Sequence, residues 1–133
     1  MERVTVRPVD REEAFEAHAL AFPDDEWCGD CDLFWLARRG KELVGFLSLF
    51  VDERGVYISR VAVVQTEAGL GKRLVRFALR YGKRQGARYA YTYTLMKNYR
   101  SMCMLLRCGF RFVEPEKPGQ YRGNDVHYFA RAI

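Results

Sequence analysis

Between Val61 and Leu74 the chain reads Val-Ala-Val-Val-Gln-Thr-Glu-Ala-Gly-Leu-Gly-Lys-Arg-Leu, and this segment narrows the possible folds more than any other. A β-branched run ends in a turn with two glycines, and apolar residues then recur with helical period. Leu70, Leu74, Phe77, Ala78 and Tyr81 fall on one face, and Arg73, Arg76, Arg80 and Arg84 on the other. Strand, tight turn and amphipathic helix are the elementary unit of a layered α/β domain. The turn also has chemical potential. Glycine lets a ligand approach the backbone with no Cβ in the way, and the first N–H groups of a helix are unpaired donors at its positive end. Gly69 and Gly71, with Lys72 and Arg73 beside them, offer a cradle for an anion. The same glycines would also serve a tight turn with no ligand. The spacing is not that of a P-loop, and the third glycine of a dinucleotide fingerprint is missing.

The rest of the chain continues the alternation. Val4 to Val9 alternates as a strand, and Asp10 offers an N-cap to a helix reaching about Leu20, with Glu12 and Glu13 at its positive end. Phe22 to Asp32 is polar and reads as loop or broken helix. Leu33–Ala37 and Leu43–Val51 read as strands joined by a turn at Arg39-Gly40-Lys41, with a second turn at 52–55. Val56 to Val64 is apolar enough to be a central strand buried on both faces. Gly82 and Gly86 close the long helix, and Tyr89 to Thr94 alternates with period two. Asn98 caps a shorter helix to about Arg107, closed by Gly109; Phe110–Val113 and Val126–Ala132 are the last strands. The order β-α-β-β-β-α-β-α-β-β predicts one α/β domain over residues 1–133, a mixed sheet with helices on its faces.

Charge divides sharply along the 133 residues. Residues 1–53 hold 13 acids and 6 bases, whereas residues 54–113 hold a single acid, Glu67, among 13 bases. So basic a middle invites an anionic ligand, either a phosphorylated cofactor or a nucleic-acid backbone. The longest apolar stretch, residues 45–51, is far short of the roughly 20 needed to span a bilayer, and the N-terminus lacks the apolar core of a signal peptide. A cytoplasmic protein without a membrane partner is expected. The cysteines agree: Cys103 and Cys108, five apart on a helix, sit about 140° around its axis and cannot share an ion with Cys28 and Cys31. Reduced thiols and no metal are expected.

One strand after the glycine turn comes Asn98-Tyr-Arg-Ser101-Met-Cys-Met-Leu105-Leu-Arg-Cys-Gly109-Phe110. With both segments in this order the chain resembles the GNAT family of N-acetyltransferases. There a strand–GxG–helix unit binds the pyrophosphate of acetyl-CoA, and a later Asn-x2-Ser/Ala-x2-Leu-Tyr-x3-Gly-Phe helix flanks the pantetheine arm. The resemblance implies an α/β fold with a mixed, mostly antiparallel central sheet and helices on both faces, and acetyl-CoA as co-substrate. It implies that Val61, Ala62 and Val63 are a splayed strand whose backbone pairs with the pantetheine amides. Glu67, Ala68, Gly69, Leu70, Gly71 and Lys72 would surround the phosphates through main-chain N–H groups, and Asn98 and Ser101 would bond the cofactor arm. For Asn98 a plain helix cap is the other reading.

Three departures from the family pattern stand out. Where the family carries Arg or Gln three residues before the first glycine, this chain has Thr66, in a turn about two residues shorter; Arg73, Arg76 or Arg100 could replace that contact. The frequent general acid, a Tyr, is Leu105 here, and a Glu base of some relatives is Tyr57. Tyr57, Tyr93 and Tyr99 are therefore the candidate catalytic residues, with water as the alternative. The resemblance implies acceptor contacts in the acidic loop between the first helix and the second strand. Asp24, Asp25, Glu26 and Asp30 there are candidates to attract a cationic amine, or they are simply a solvated surface. The implied reaction is acetyl transfer to a primary amine by direct attack in a ternary complex. A basic module stacking nucleic-acid bases on Tyr89, Tyr91 and Tyr93 is the alternative, as is a CoA-binding protein without activity. The sequence leaves monomer and homodimer open.

Overall fold

The computed structural model of the chain describes residues 3–24, 27, 31–64, 67–95, 98–113, 120, 121 and 124–133. In chain order the elements are β1 (Val4–Val9), α1 (Arg11–Ala21), β2 (Leu33–Arg39), β3 (Glu42–Asp52), β4 (Gly55–Val63), α2 (Leu70–Arg84), β5 (Tyr89–Leu95), α3 (Tyr99–Arg107), β6 (Arg111–Val113), β7 (Gln120–Tyr121) and β8 (Asn124–Ala132). Seven strands are ordered β1-β2-β3-β4-β5-β8-β6, and the short β7 pairs with β8 beside this path. The β1–β2, β2–β3, β5–β8 and β6–β8 ladders are antiparallel, and β4 meets β5 in parallel at Val56↔Ala90 and Tyr57↔Tyr91. The sheet is thus mixed and mostly antiparallel, as expected; the one element not foreseen is β7. Among the described residues no helix is long and apolar enough to cross a membrane.

The elements fall into two compact units, Met1–Phe50 with Ile58–Leu74, and Val51–Tyr57 with Val75–Ile133. In the first, α1 starts on the cap expected of Asp10, whose carboxylate accepts from the Glu13 N–H at 2.8 Å. Its Ala14 and Ala17 pack with Cys31, Phe34, Leu36 and Phe46 on one face of β2–β3. Side chains alternate along a strand, so Ala37 and Gly45 point to the other face. There Leu70 and Leu74 of α2 press on Gly45, where a Cβ would stand 3.0 Å from Leu70 Cδ2 and 3.2 Å from Leu74 Cδ1. Helices therefore cover both faces. The strand runs buried on both faces are Phe34–Ala37 of β2 and Val44–Leu49 of β3. In β4 only Gly55, Val56 and Ile58 are buried, and Ser59 to Val63 are half-buried, which corrects the expectation that the whole strand is enclosed.

In the second unit α2 runs on through Gly82 to Arg84, so Gly82 does not end it. The glycine is there for proximity: a Cβ would lie 2.7 Å from Val56 Cγ1 and 3.2 Å from Ile133 Cδ1. The stop is Gly86, at φ +84, with its N–H bonded to the Lys83 carbonyl and the Ala87 N–H to that of Gly82. This is the paired closure that a left-handed residue permits. α3 ends in the same way at Gly109 (φ +87), through Gly109 N–H to Leu106 and Phe110 N–H to Leu105.

Gly82→Ala tests the close approach. On an exposed helix this change gains up to ~1 kcal/mol. Here overpacking against Val56 should reverse the sign and cost about 1–3 kcal/mol. A melting temperature that rises instead would show that α2 can stand further off.

Candidate active site

In the first unit β4 passes into α2 through a turn held by its own main chain. Val64 N–H bonds to Val44 O at 3.1 Å, Glu67 N–H to Val64 O at 3.0 Å, and Leu70 N–H to Glu67 O at 3.3 Å. The N–H groups of Glu67 and Leu70 are thereby engaged within the turn, which narrows the expected cradle. Among the described residues, the amides of Ala68, Gly69, Gly71 and Lys72 meet no backbone acceptor, and the helical ladder begins with Arg73 N–H on Gly69 O at 3.1 Å. Gly69 has φ +79, and nothing lies within 4 Å of the place a Cβ would occupy. Exposed donors at a helix's positive end, around open space kept clear by glycine, suit a diphosphate. Gln65 and Thr66 lie outside the described residues.

The side chain of Glu67, only 7% exposed, is gripped by Arg39 at the end of β2. Arg39 Nη2 donates to Glu67 Oε2 at 2.6 Å, and Nη1 meets Oε1. This ion pair joins residues 28 apart in sequence, and no local pattern announces it. Arg73 instead donates from Nη2 to the Val4 carbonyl of β1 at 3.1 Å.

In the second unit Asn98 is the N-cap of α3, its Oδ1 accepting from Ser101 N–H at 3.1 Å. Ser101 is half-buried in the first turn of that helix. Leu105, standing at the family's tyrosine position, is a core residue. Of the three candidate tyrosines, Tyr57 and Tyr93 come together, with ring centroids 6.2 Å apart, whereas Tyr99 is 71% exposed on α3. Tyr91 lies 5.0 Å from Tyr57, and Tyr128 of β8 lies 6.2 Å from Tyr93. The alternation on β5 signalled this row, but Tyr128 joins it only through strand pairing opposite Tyr93. Tyr91 and Tyr93 thus contact other rings, and Tyr89 alone of the β5 tyrosines is exposed.

Sequence reasoning missed Asp52. Its Oδ1 accepts from Arg54 N–H at 2.8 Å and Gly55 N–H at 3.2 Å, and its Oδ2 from the Tyr91 hydroxyl at 2.5 Å. The Tyr91 hydroxyl bond, chiefly, holds the carboxyl below its usual range. Burial, then Asp52 itself, pushes the Tyr91 phenol above its ordinary value.

Of the acidic-loop candidates, Asp24 is exposed in a turn, and Asp25, Glu26 and Asp30 lie outside the described residues. Asp32 pairs with Arg11 at 3.3 Å, so its charge belongs to the start of α1. Cys31 and Cys108 are buried and Cys103 is exposed. Among the described residues no three metal-ligating side chains converge.

A mixed, mostly antiparallel sheet with helices on both faces and a glycine turn leading from β4 into α2 is an arrangement found in acetyltransferase folds. The model of the acetyltransferase (GNAT) family matches residues 4–110, and the chain belongs to that family. Solved structures agree on the fold. The IAA acetyltransferase of Bacillus cereus ATCC 14579 superposes with a TM-score of 0.80 at 20% identity, covering 98% of this chain and 100% of its own. A GNAT family acetyltransferase from Elizabethkingia anophelis with acetyl-CoA bound gives 0.78 at 16% identity over 100% of both chains. The ribosomal-protein-S18-alanine N-acetyltransferase of Escherichia coli gives 0.76 at 14% identity, over 98% of this chain and 94% of its own. No curated protein matches the sequence.

The Asp52 contacts give a pH signature. A carboxyl lowered in the fold contributes stability above its unfolded pKa, near 4, and that stability is lost as pH falls through the folded value. Tyr91, raised in the fold, works in the opposite direction: its contribution is complete below about pH 10 and is lost as pH rises beyond. Asp52→Asn should lower the melting temperature at pH 7, and the gap to wild type should narrow by pH 3. A gap independent of pH would mean that the carboxylate charge contributes nothing.

Proposed function

We propose that the chain, as a single acyltransferase domain over residues 1–133, moves an acetyl group from acetyl-CoA to a primary amine by direct attack in a ternary complex. The observation that carries this reading is the turn between β4 and α2, where, among the described residues, the amides of Ala68, Gly69, Gly71 and Lys72 meet no backbone acceptor and open space lies at Gly69. Family membership and the acetyl-CoA bound to the Elizabethkingia relative support the choice of anion. Bound acetyl-CoA supplies a thioester carbonyl that an amine can attack.

The chain's own groups divide the remaining work. The four amides and the positive end of α2 hold the diphosphate. The half-buried backbone of Val61, Ala62 and Val63 holds the pantetheine arm, and a Val61 or Ala62 N–H stabilises the developing oxyanion. Asn98, whose oxygen caps α3, still has its NH2 to donate to the arm, and the Ser101 hydroxyl stands one turn on. Tyr57 stands at the base position, so the proton leaving the amine passes through water and the Tyr57 or Tyr93 hydroxyls; Leu105 has no proton to give, so CoA leaves as its thiolate and takes a proton from water. Holding two reactants in register supplies much of the rate such a site needs. Asp24, Asp25, Glu26 and Asp30 draw a cationic acceptor toward the site. The cytoplasm is the compartment that suits its reduced cysteines.

Initial rates with acetyl-CoA and a panel of amines test the reaction order. Double-reciprocal lines should intersect, as they do when both substrates bind before transfer, whereas parallel lines would mean a covalent acetyl-enzyme. In the same assay, reversing the charges of Asp24, Asp25 and Glu26 should raise KM for a cationic amine and leave KM for acetyl-CoA unchanged. Unaltered amine kinetics would leave the acidic loop as plain solvated surface.

A further inference from the structure

We propose that Arg39 is a positioning residue of the phosphate turn: it neutralises the buried carboxylate of Glu67, so that the turn can accept a diphosphate although Thr66 stands where Arg or Gln is expected. This inference rests on the acetyl-CoA reading above. Glu67 is the only acid between residues 54 and 113, and it stands two residues before Gly69. Its side chain is nearly buried, so water screens it poorly from an anion arriving at the adjacent amides. Left alone it would repel that anion.

Arg39 removes the repulsion. Its guanidinium donates to Oε2 and lies against Oε1, and neighbouring guanidiniums point elsewhere: Arg38 donates to the Lys41 carbonyl at 3.2 Å, and Arg73 to that of Val4. A simple pin is not what the turn lacks, because the main-chain bonds Glu67 N–H to Val64 O and Leu70 N–H to Glu67 O already close it. What the side-chain pair adds is charge balance. A bare buried carboxylate makes the turn negative, the pair makes it neutral, and Arg39 without its partner makes it positive. The sign of each substitution therefore separates electrostatics from mere support.

Binding of CoA measured by calorimetry, with KM for acetyl-CoA and for S-acetylpantetheine, which lacks the diphosphate, decides the matter. Arg39→Met should weaken CoA about tenfold through like-charge repulsion. It should raise KM for acetyl-CoA in step and leave KM for S-acetylpantetheine unchanged. Glu67→Gln should bind CoA at least as tightly as wild type, and the double variant R39M/E67Q, neutral again, should return to within about threefold of it. Arg38→Met controls for net charge and should change binding less than about twofold. Weaker CoA binding in Glu67→Gln overturns the proposal, as does an equal loss with S-acetylpantetheine. Should Arg39→Met not fold, Glu67→Gln and the double variant, which leave no bare charge, decide alone. Wild-type protein that binds inorganic pyrophosphate through Arg39 but not CoA would overturn the acetyl-CoA reading only; binding neither would overturn both.

Discussion

Helix α2 runs closer to the sheet than ordinary side chains allow, and glycine on one element or the other permits it. In its first turns Leu70 and Leu74 lie against Gly45 of β3; near its end Gly82 lies against Val56 of β4. Interiors packed to this density do not let a helix slide or roll without clash. In the first unit the contact with Gly45 bears on the start of the helix, where Gly71 and Lys72 stand beside the left-handed Gly69. Donors set in place before a ligand arrives need no reorganisation to meet its charge. The same packing divides α2 chemically, with apolar side chains turned inward and Arg73, Arg76, Arg80 and Arg84 exposed.

Charge follows a similar logic. A carboxylate as enclosed as that of Glu67 has to be paired, and the cation comes from β2, not from the basic stretch that surrounds Glu67 in sequence. In the other unit Asp52 gathers two amides and a phenol at the turn between β3 and β4, ahead of the tyrosine row of Tyr57, Tyr91, Tyr93 and Tyr128. That row joins two of the tyrosines proposed for proton transfer, and Tyr99 stands apart on α3. The close likeness in fold to an IAA acetyltransferase and to a ribosomal-protein N-acetyltransferase shows why the acceptor has to be argued from residues: one fold hosts many acceptors.

What was legible in the sequence was what short-range chemistry decides. Strand alternation, the Asp10 and Asn98 caps and the left-handed Gly86 and Gly109 depend on neighbours within a few residues, and each stands where periodicity put it. Gly82 misled because a glycine near a helix end looks like a stop, whereas its reason is Val56, 26 positions earlier in the chain. Full burial of β4 was inferred from composition; β4 does take the central place in the strand order, yet Ser59 to Val63 are only half-buried, and the enclosed runs are in β2 and β3. The glycine turn was visible because two glycines before an amphipathic run mark a strand-to-helix turn in the sequence itself. The partners of Glu67 and Asp52, at separations of 28 and 39 residues, have no local signature. Two-residue β7 is too short to show a period.

The most direct measurement is the melting temperature with and without acetyl-CoA, for wild type and Gly69→Leu. Ligand at about 100 times Kd adds roughly 2.7 kcal/mol. For a chain of this size that is a rise of about 8–14 °C. Gly69→Leu, whose side chain would fill the open space at the turn, should start from a somewhat lower temperature and show no rise. A wild-type protein unmoved by millimolar acetyl-CoA, or a Gly69→Leu variant that responds as wild type does, would contradict the assignment of this turn to the cofactor.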